Sequence, residues 1–223
     1  MKIVLIPGMD GTGLLFAPFI EVVPDEIEVI SLPLLQRSDA DYHDQAQHII
    51  ANIGEDPIVL IAESYSGMVA YSMLQIGSPN IKHIIFVASF LECPSRLAQF
   101  AKYLPLTVLK RNILPKPILS KLLFGQFSDT RLVSLFNKSL NSVSEHVLKS
   151  RINHIAKLND HTIEIEVPCS YIRPKNDNLV SKRALEAFKR RCQKLVIHEV
   201  EGTHFVLQTN PTKCWQIIQN IIE

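Results

Sequence analysis

The stretch IVLIAESYSGMVA, residues 58–70, constrains the fold most tightly. It opens as an apolar run (Ile58, Val59, Leu60, Ile61) of the length expected for a strand buried on both faces. Within a few residues it becomes a helix-forming run, Gly67 through Ile76. Ser64 sits at the junction between Ala62 and Ser66, with Gly67 just beyond. A strand passing into a helix through so short a turn leaves little room for bulky side chains two residues either side of the serine. It also puts that serine at a helix N-terminus, where amides favour developing negative charge. The simpler alternative is a serine serving as an ordinary helix N-cap.

Strands and helices alternate around this junction. Residues 3–7 read as a buried strand, followed at once by Gly8-Met9-Asp10-Gly11-Thr12-Gly13. Three glycines in six residues require a sharp bend or a close approach. A P-loop would end in Gly-Lys-Ser/Thr and a dinucleotide loop would show G-x-G-x-x-G, and neither pattern is present. A plain turn and an oxyanion loop both remain open. Ile27–Leu32 is the next strand, Asp39–Ile53 a helix capped by Asp39 or Asp41, and His83–Phe90 a further strand. After residue 160 the alternation resumes, with strands at Val167–Arg173 and Leu195–Val200 and helices at Ser181–Arg191 and Asn210–Ile222. Strands of this kind imply a parallel sheet covered on both faces.

The alternation breaks between 93 and 160. Helical patches occur there at Leu97–Tyr103, Ile118–Phe124, Thr130–Leu140 and Val143–Leu158, interrupted by Pro105, Pro115 and Pro117. The expected organisation is a core of residues 1–92 and 161–223 with a helical lid or cap inserted at 93–160. That insertion carries 11 Lys/Arg against 3 Asp/Glu, although the whole chain is only +1. A solvated helical face explains the surplus; so does a basic lid that attracts anionic substrates or an anionic membrane surface.

With 223 residues the chain suits one core, and its near-neutral charge gives no push toward nucleic acid. Cys93, Cys169, Cys192 and Cys214 are widely spaced without metal-ligand patterning, so reduced thiols, no metal and no cofactor are expected. The apolar start is too short for a signal segment and no run reaches membrane-spanning length, which suggests a cytoplasmic protein.

A serine nucleophile needs a base to take its proton and an acid to orient that base. Asp177 follows the strand at 167–173 and His204 follows the last strand, giving the chain order Ser, Asp, His. Taken singly, Asp177 suits an N-cap or Asx-turn, and His204 suits a structural histidine. None of the seven other histidines follows the last strand on a glycine-bearing loop. Glu63 and Asp10 suit structural roles, Glu63 either bonding loop amides or facing solvent.

These segments together resemble the α/β-hydrolase fold superfamily, and within it small esterase- or thioesterase-like serine hydrolases. The resemblance rests on LIPGMDGTG, IAESYSG with Ser64 at the nucleophile elbow, Asp177-Asn178-Leu179-Val180, and GTHFVLQTNP. Pro7 stands where a histidine is usual, and Ala62 and Ser66 stand where glycines are commoner. The resemblance implies that Ser64 attacks a carbonyl, His204 acts as base and then acid, and Asp177 orients His204. It also implies an oxyanion hole built from the backbone amides of Met9 and Tyr65. The partner expected is a small acyl ester or thioester. Leu104, Leu106, Val108, Leu109, Ile118, Leu122, Leu123, Phe124 and Phe127 would offer apolar surface to the acyl group. Thioester cleavage and acyl transfer use the same residues, and a non-catalytic binding protein on this fold is the alternative of another class.

Overall fold

Among the described residues, six strands, all parallel, form one sheet. The computed structural model describes residues 2–77, 80–94, 123–127, 129–158 and 164–222. The strands are β1 Lys2–Ile6, β2 Val29–Ser31, β3 Ile58–Glu63, β4 Ile81–Val87, β5 Cys169–Pro174 and β6 Leu195–Val200. Consecutive residues of the central strands face opposite layers, which is why they read as unbroken apolar runs. Val4, Leu60 and Phe86 pack with helices α2 (Tyr42–Ile53) and α3 (Ser66–Ile76). Ile3, Leu5, Ile61 and Val87 pack on the other side with Phe16, Phe19 and Trp215. A short helix α1 (Ala17–Ile20) belongs to that second layer. In the spatial order β2-β1-β3-β4-β5-β6 the chain leaves β1 toward β2 and leaves β3 toward β4, in opposite directions along the sheet, so a crevice opens beyond the carboxyl ends of β1 and β3. The glycine loop after β1 and the turn after β3 border it.

Most elements fall where the sequence puts them. The helix over 39–53 starts at Tyr42 because Asp41 caps it, its carboxylate accepting the Asp44 N–H while Asp44 returns the bond. The strand expected over His83–Phe90 ends at Val87. Ala88 has φ 45°, and this left-handed residue turns the apolar run out of the sheet and over the Ser64 turn. Within 93–160, helices α4 (Thr130–Asn141) and α5 (Glu145–Ala156) form, capped by Asp129 and Ser144. The patch at 97–103 and most of 118–124 lie outside the described residues, as do Leu104, Leu106, Val108, Leu109, Ile118 and Leu122. Leu132, Phe136, Leu140, Val147 and Leu148 of α4 and α5 join Leu123, Phe124 and Leu15 in a third apolar cluster against Met9 and Phe205. Helices α6 (Lys182–Arg191), α7 (Val206–Thr209) and α8 (Pro211–Ile222) complete the described chain. Among the described residues, no helix is long and apolar enough to cross a membrane.

Gly67 shows how closely the Ser64 turn is packed. A Cβ there would meet Ser89 Oγ at 1.9 Å and the Phe90 carbonyl oxygen at 3.1 Å. Gly67→Ala is expected to destabilise the protein by about 1–3 kcal/mol through overpacking, measured by denaturant unfolding. An unchanged midpoint would show that the β4 exit loop yields freely.

Candidate active site

The turn after β3 holds Ser64 at φ 50°, a left-handed conformation that a non-glycine residue adopts only when its surroundings impose it. Those surroundings are identifiable. The Ser64 N–H donates to the Val87 carbonyl at 2.9 Å, and the Ser64 carbonyl accepts from Ser89 Oγ at 2.7 Å and the Gly67 N–H at 3.1 Å. Ser66, standing where glycine is commoner, donates its buried hydroxyl to the Pro7 carbonyl and so ties the turn to the loop after β1. That bond gives Ser66, one of the three departures from the usual pattern, a structural role.

The loops after β5 and β6 lie side by side, joined by Lys175 N–H to the Val200 carbonyl and Asn176 N–H to the Gly202 carbonyl, both 3.0 Å. They carry Asp177 and His204 to Ser64. His204 Nε2 lies 2.9 Å from Ser64 Oγ, and His204 Nδ1 lies 2.8 Å from Asp177 Oδ2. The other oxygen, Asp177 Oδ1, accepts the Leu179 and Val180 amides at 2.8 and 2.9 Å. Asp177 thus closes an Asx-turn through one oxygen and meets His204 through the other. An ionised carboxylate only accepts, so it selects the tautomer with hydrogen on Nδ1 and leaves the Nε2 lone pair facing the Ser64 hydroxyl.

Electrostatics favours that arrangement. Burial pushes the Asp177 carboxyl up, but the His204 charge, their hydrogen bond and the two amides outweigh it and hold it below the usual range. Burial pushes His204 down, yet the Asp177 charge and hydrogen bond, with a further contribution from Glu63, leave it raised above its ordinary value. A second carboxyl lies just behind the relay. Glu63 is buried, accepts Gln208 Nε2 at 2.9 Å and the Gly8 amide, and is pushed up to about 7, chiefly by burial. Its structural role is thus to hold loop amides, one of the two placements the sequence allowed.

The Met9 and Tyr65 backbone N–H groups lie on the two loops that border Ser64, and neither donates to an acceptor among the described residues. Asp10 braces the first of these loops. Its Oδ2 accepts the Thr12 N–H at 3.0 Å, Thr12 Oγ1 at 2.6 Å and Ser139 Oγ of α4 at 2.7 Å. Arg151 of α5 braces it too, donating to the Met9 carbonyl at 2.8 Å and the Asp10 carbonyl at 3.0 Å. Sequence reasoning missed Arg151, Ser89 and Gln208. For Arg151 a signal existed, since it shares a helical face with Val147, Leu148 and Ile155 and interrupts an apolar stripe. Among the described residues, no group of three His, Cys, Asp or Glu is arranged to hold a metal ion.

No protein-family model matches this chain, and neither does any curated protein. Solved structures do. An esterase from Exiguobacterium antarcticum superposes with a TM-score of 0.85 at 14% identity, covering 100% of this chain and 91% of its own. The enol-lactonase of Burkholderia xenovorans reaches 0.77 at 9% identity, covering 99% and 90%. The RedJ thioesterase of Streptomyces coelicolor, from a prodiginine biosynthetic pathway, reaches 0.70 at 18% identity, covering 98% and 84%. With so little shared sequence, the agreement concerns the path of the backbone, which here extends over nearly the whole chain. The protein has the α/β-hydrolase fold.

Proposed function

We propose that the protein is a serine hydrolase of carboxylic esters, acting through an acyl-enzyme on Ser64. The observation that carries this reading is the unbroken relay from Ser64 Oγ through His204 to Asp177, with contacts of 2.9 and 2.8 Å. His204 Nε2 takes the Ser64 proton as Oγ attacks the ester carbonyl. The imidazolium so formed is stabilised by Asp177, and the oxyanion is received by the amides of Met9 and Tyr65. His204 then protonates the departing alcohol. In the second half-reaction it deprotonates a water, which releases the acid and restores Ser64. The side chains of Leu15, Phe124, Phe136 and Phe205 gather beside the relay, Phe205 meeting the His204 ring edge-on at 5.5 Å, and offer an apolar flank for the acyl group.

A thioesterase is the second reading, favoured by the surplus of basic residues between 93 and 160, which suits the phosphates of an acyl-CoA or acyl-carrier substrate. Rates on p-nitrophenyl esters from C2 to C16, set beside matched acyl-CoA and acyl-N-acetylcysteamine thioesters, separate the two. The ester reading expects turnover of the p-nitrophenyl series with one chain-length optimum. Preference for acyl-CoA over the N-acetylcysteamine thioester would favour the second reading instead. Silence on both classes would defeat the hydrolase reading, and product diverted to a new ester by added alcohol would reveal acyl transfer.

A further inference from the structure

Arg151 is the largest fully buried side chain among the described residues, with 1% of its surface exposed. A buried guanidinium is costly unless its charge is compensated. Among the described residues no carboxylate forms an ion pair with it, and its Nε has no hydrogen-bond partner. All its bonds go to backbone carbonyls: Nη1 to Met9 and Asp10, and Nη2 to Leu35 at 2.8 Å. Desolvation lowers its pKa, but an arginine stays protonated.

The position of those carbonyls is informative. The Gly8 carbonyl accepts the Gly11 N–H at 2.9 Å, closing a turn whose two central carbonyls, Met9 and Asp10, are the ones Arg151 holds. Every carbonyl from Gly8 to Asp10 is therefore engaged, that of Asp10 by Gln36 Nε2 at 3.3 Å as well. The turn is also moulded to the guanidinium, since a Cβ on Gly11 would meet Nη1 at 2.5 Å. The same guanidinium carbon lies 5.9 Å from the centre of the Tyr65 ring, so one cation touches both residues assigned to the oxyanion hole.

We propose that Arg151 is a positioning residue for the oxyanion hole. From helix α5 it fixes the Gly8–Gly11 turn so that the Met9 N–H faces the developing oxyanion. Its charge lies on that loop as well, with the Asp10 carboxylate nearby. This inference rests on the serine hydrolase reading. A fixed donor matters more in the transition state than in the ground state, so its loss is read in kcat rather than KM.

The test compares wild type, Arg151→Met and Arg151→Lys on the preferred p-nitrophenyl ester, with a trifluoromethyl ketone as tetrahedral mimic and thermal unfolding alongside. Removing one oxyanion donor costs about 10²–10³ in kcat, so misaiming one by Arg151→Met is expected to cost about 30-fold or more with KM within about threefold. Ketone affinity should weaken by a similar factor. Arg151→Lys keeps the cation with fewer bonds and should fall between the two, at about fivefold or more below wild type. A purely structural role would lower the unfolding midpoint while leaving kcat per folded molecule and ketone affinity unchanged, and that result overturns the proposal. If Arg151→Met does not fold, Arg151→Lys decides: wild-type kcat and ketone affinity overturn it. Wild type that hydrolyses esters beside an unaffected variant refutes this inference only. Wild type that neither hydrolyses acyl substrates nor reacts with a fluorophosphonate refutes the functional reading, and this inference with it.

Discussion

Ser64→Ala is expected to lower kcat on the preferred ester by about 10⁴-fold or more, with little change in the unfolding midpoint. The chemical loss follows from the role of Oγ, the only atom removed. The small structural effect follows from its partners: in the described structure Oγ bonds only His204, while the turn is held by the Ser64 N–H and carbonyl. Alanine keeps both backbone groups and tolerates φ 50° about as well as serine does. Residual turnover should reflect the oxyanion amides and substrate positioning. The check is steady-state kinetics on protein shown by circular dichroism to be folded. A variant within about tenfold of wild type would mean that another group attacks the ester.

Asp177→Asn is expected to lower kcat by about 10³–10⁴-fold, for a different reason. Oδ1 would still accept the Leu179 and Val180 amides, so the loop should keep its shape. The replaced oxygen, however, becomes an amide that donates to His204 Nδ1 and forces the hydrogen onto Nε2, the wrong tautomer for taking the Ser64 proton. The pH profile carries a second signature. His204 must be neutral to act as base, and Asp177 raises its pKa, so wild-type kcat/KM should fall with acid through a limb above the ordinary histidine value of about 6.5. Removing the carboxylate charge removes the main cause of that rise, leaving only the smaller contribution of Glu63, so the variant's acid limb should move down while its plateau drops. A plateau loss with an unmoved limb would show that Asp177 does not set the protonation of His204.

The residues legible in the sequence share a property. Ser64, Asp177 and His204, which the structure brings together, each stand just past a strand end and are flanked by small or turn-forming neighbours, so local pattern and chain order were enough to single them out as candidates. The parallel sheet was legible from its central strands, which are buried on both faces. What the sequence hid depends on contacts between distant segments. The end of β4 at Val87 follows from the left-handed Ala88 and the pressure of the Ser64 turn, not from any change in hydropathy at 88–90. Gln208 matters because it meets Glu63, and α7, which carries it, is too short to show a helical period. Ser89 matters because it meets the Ser64 carbonyl. Arg151 interrupts the apolar stripe of its helix, a sign of burial but not of its partners. Its importance comes from a loop 142 positions earlier, whose carbonyls are invisible to sequence pattern.

On the proposed reading Ser64 is a nucleophile activated by His204, and reaction with a fluorophosphonate tests that most directly. Folded wild type should take up one equivalent, with the adduct located on the peptide that contains Ser64, and His204→Ala should react far more slowly. Folded protein that resists the reagent, or carries the adduct on another residue, would contradict the account.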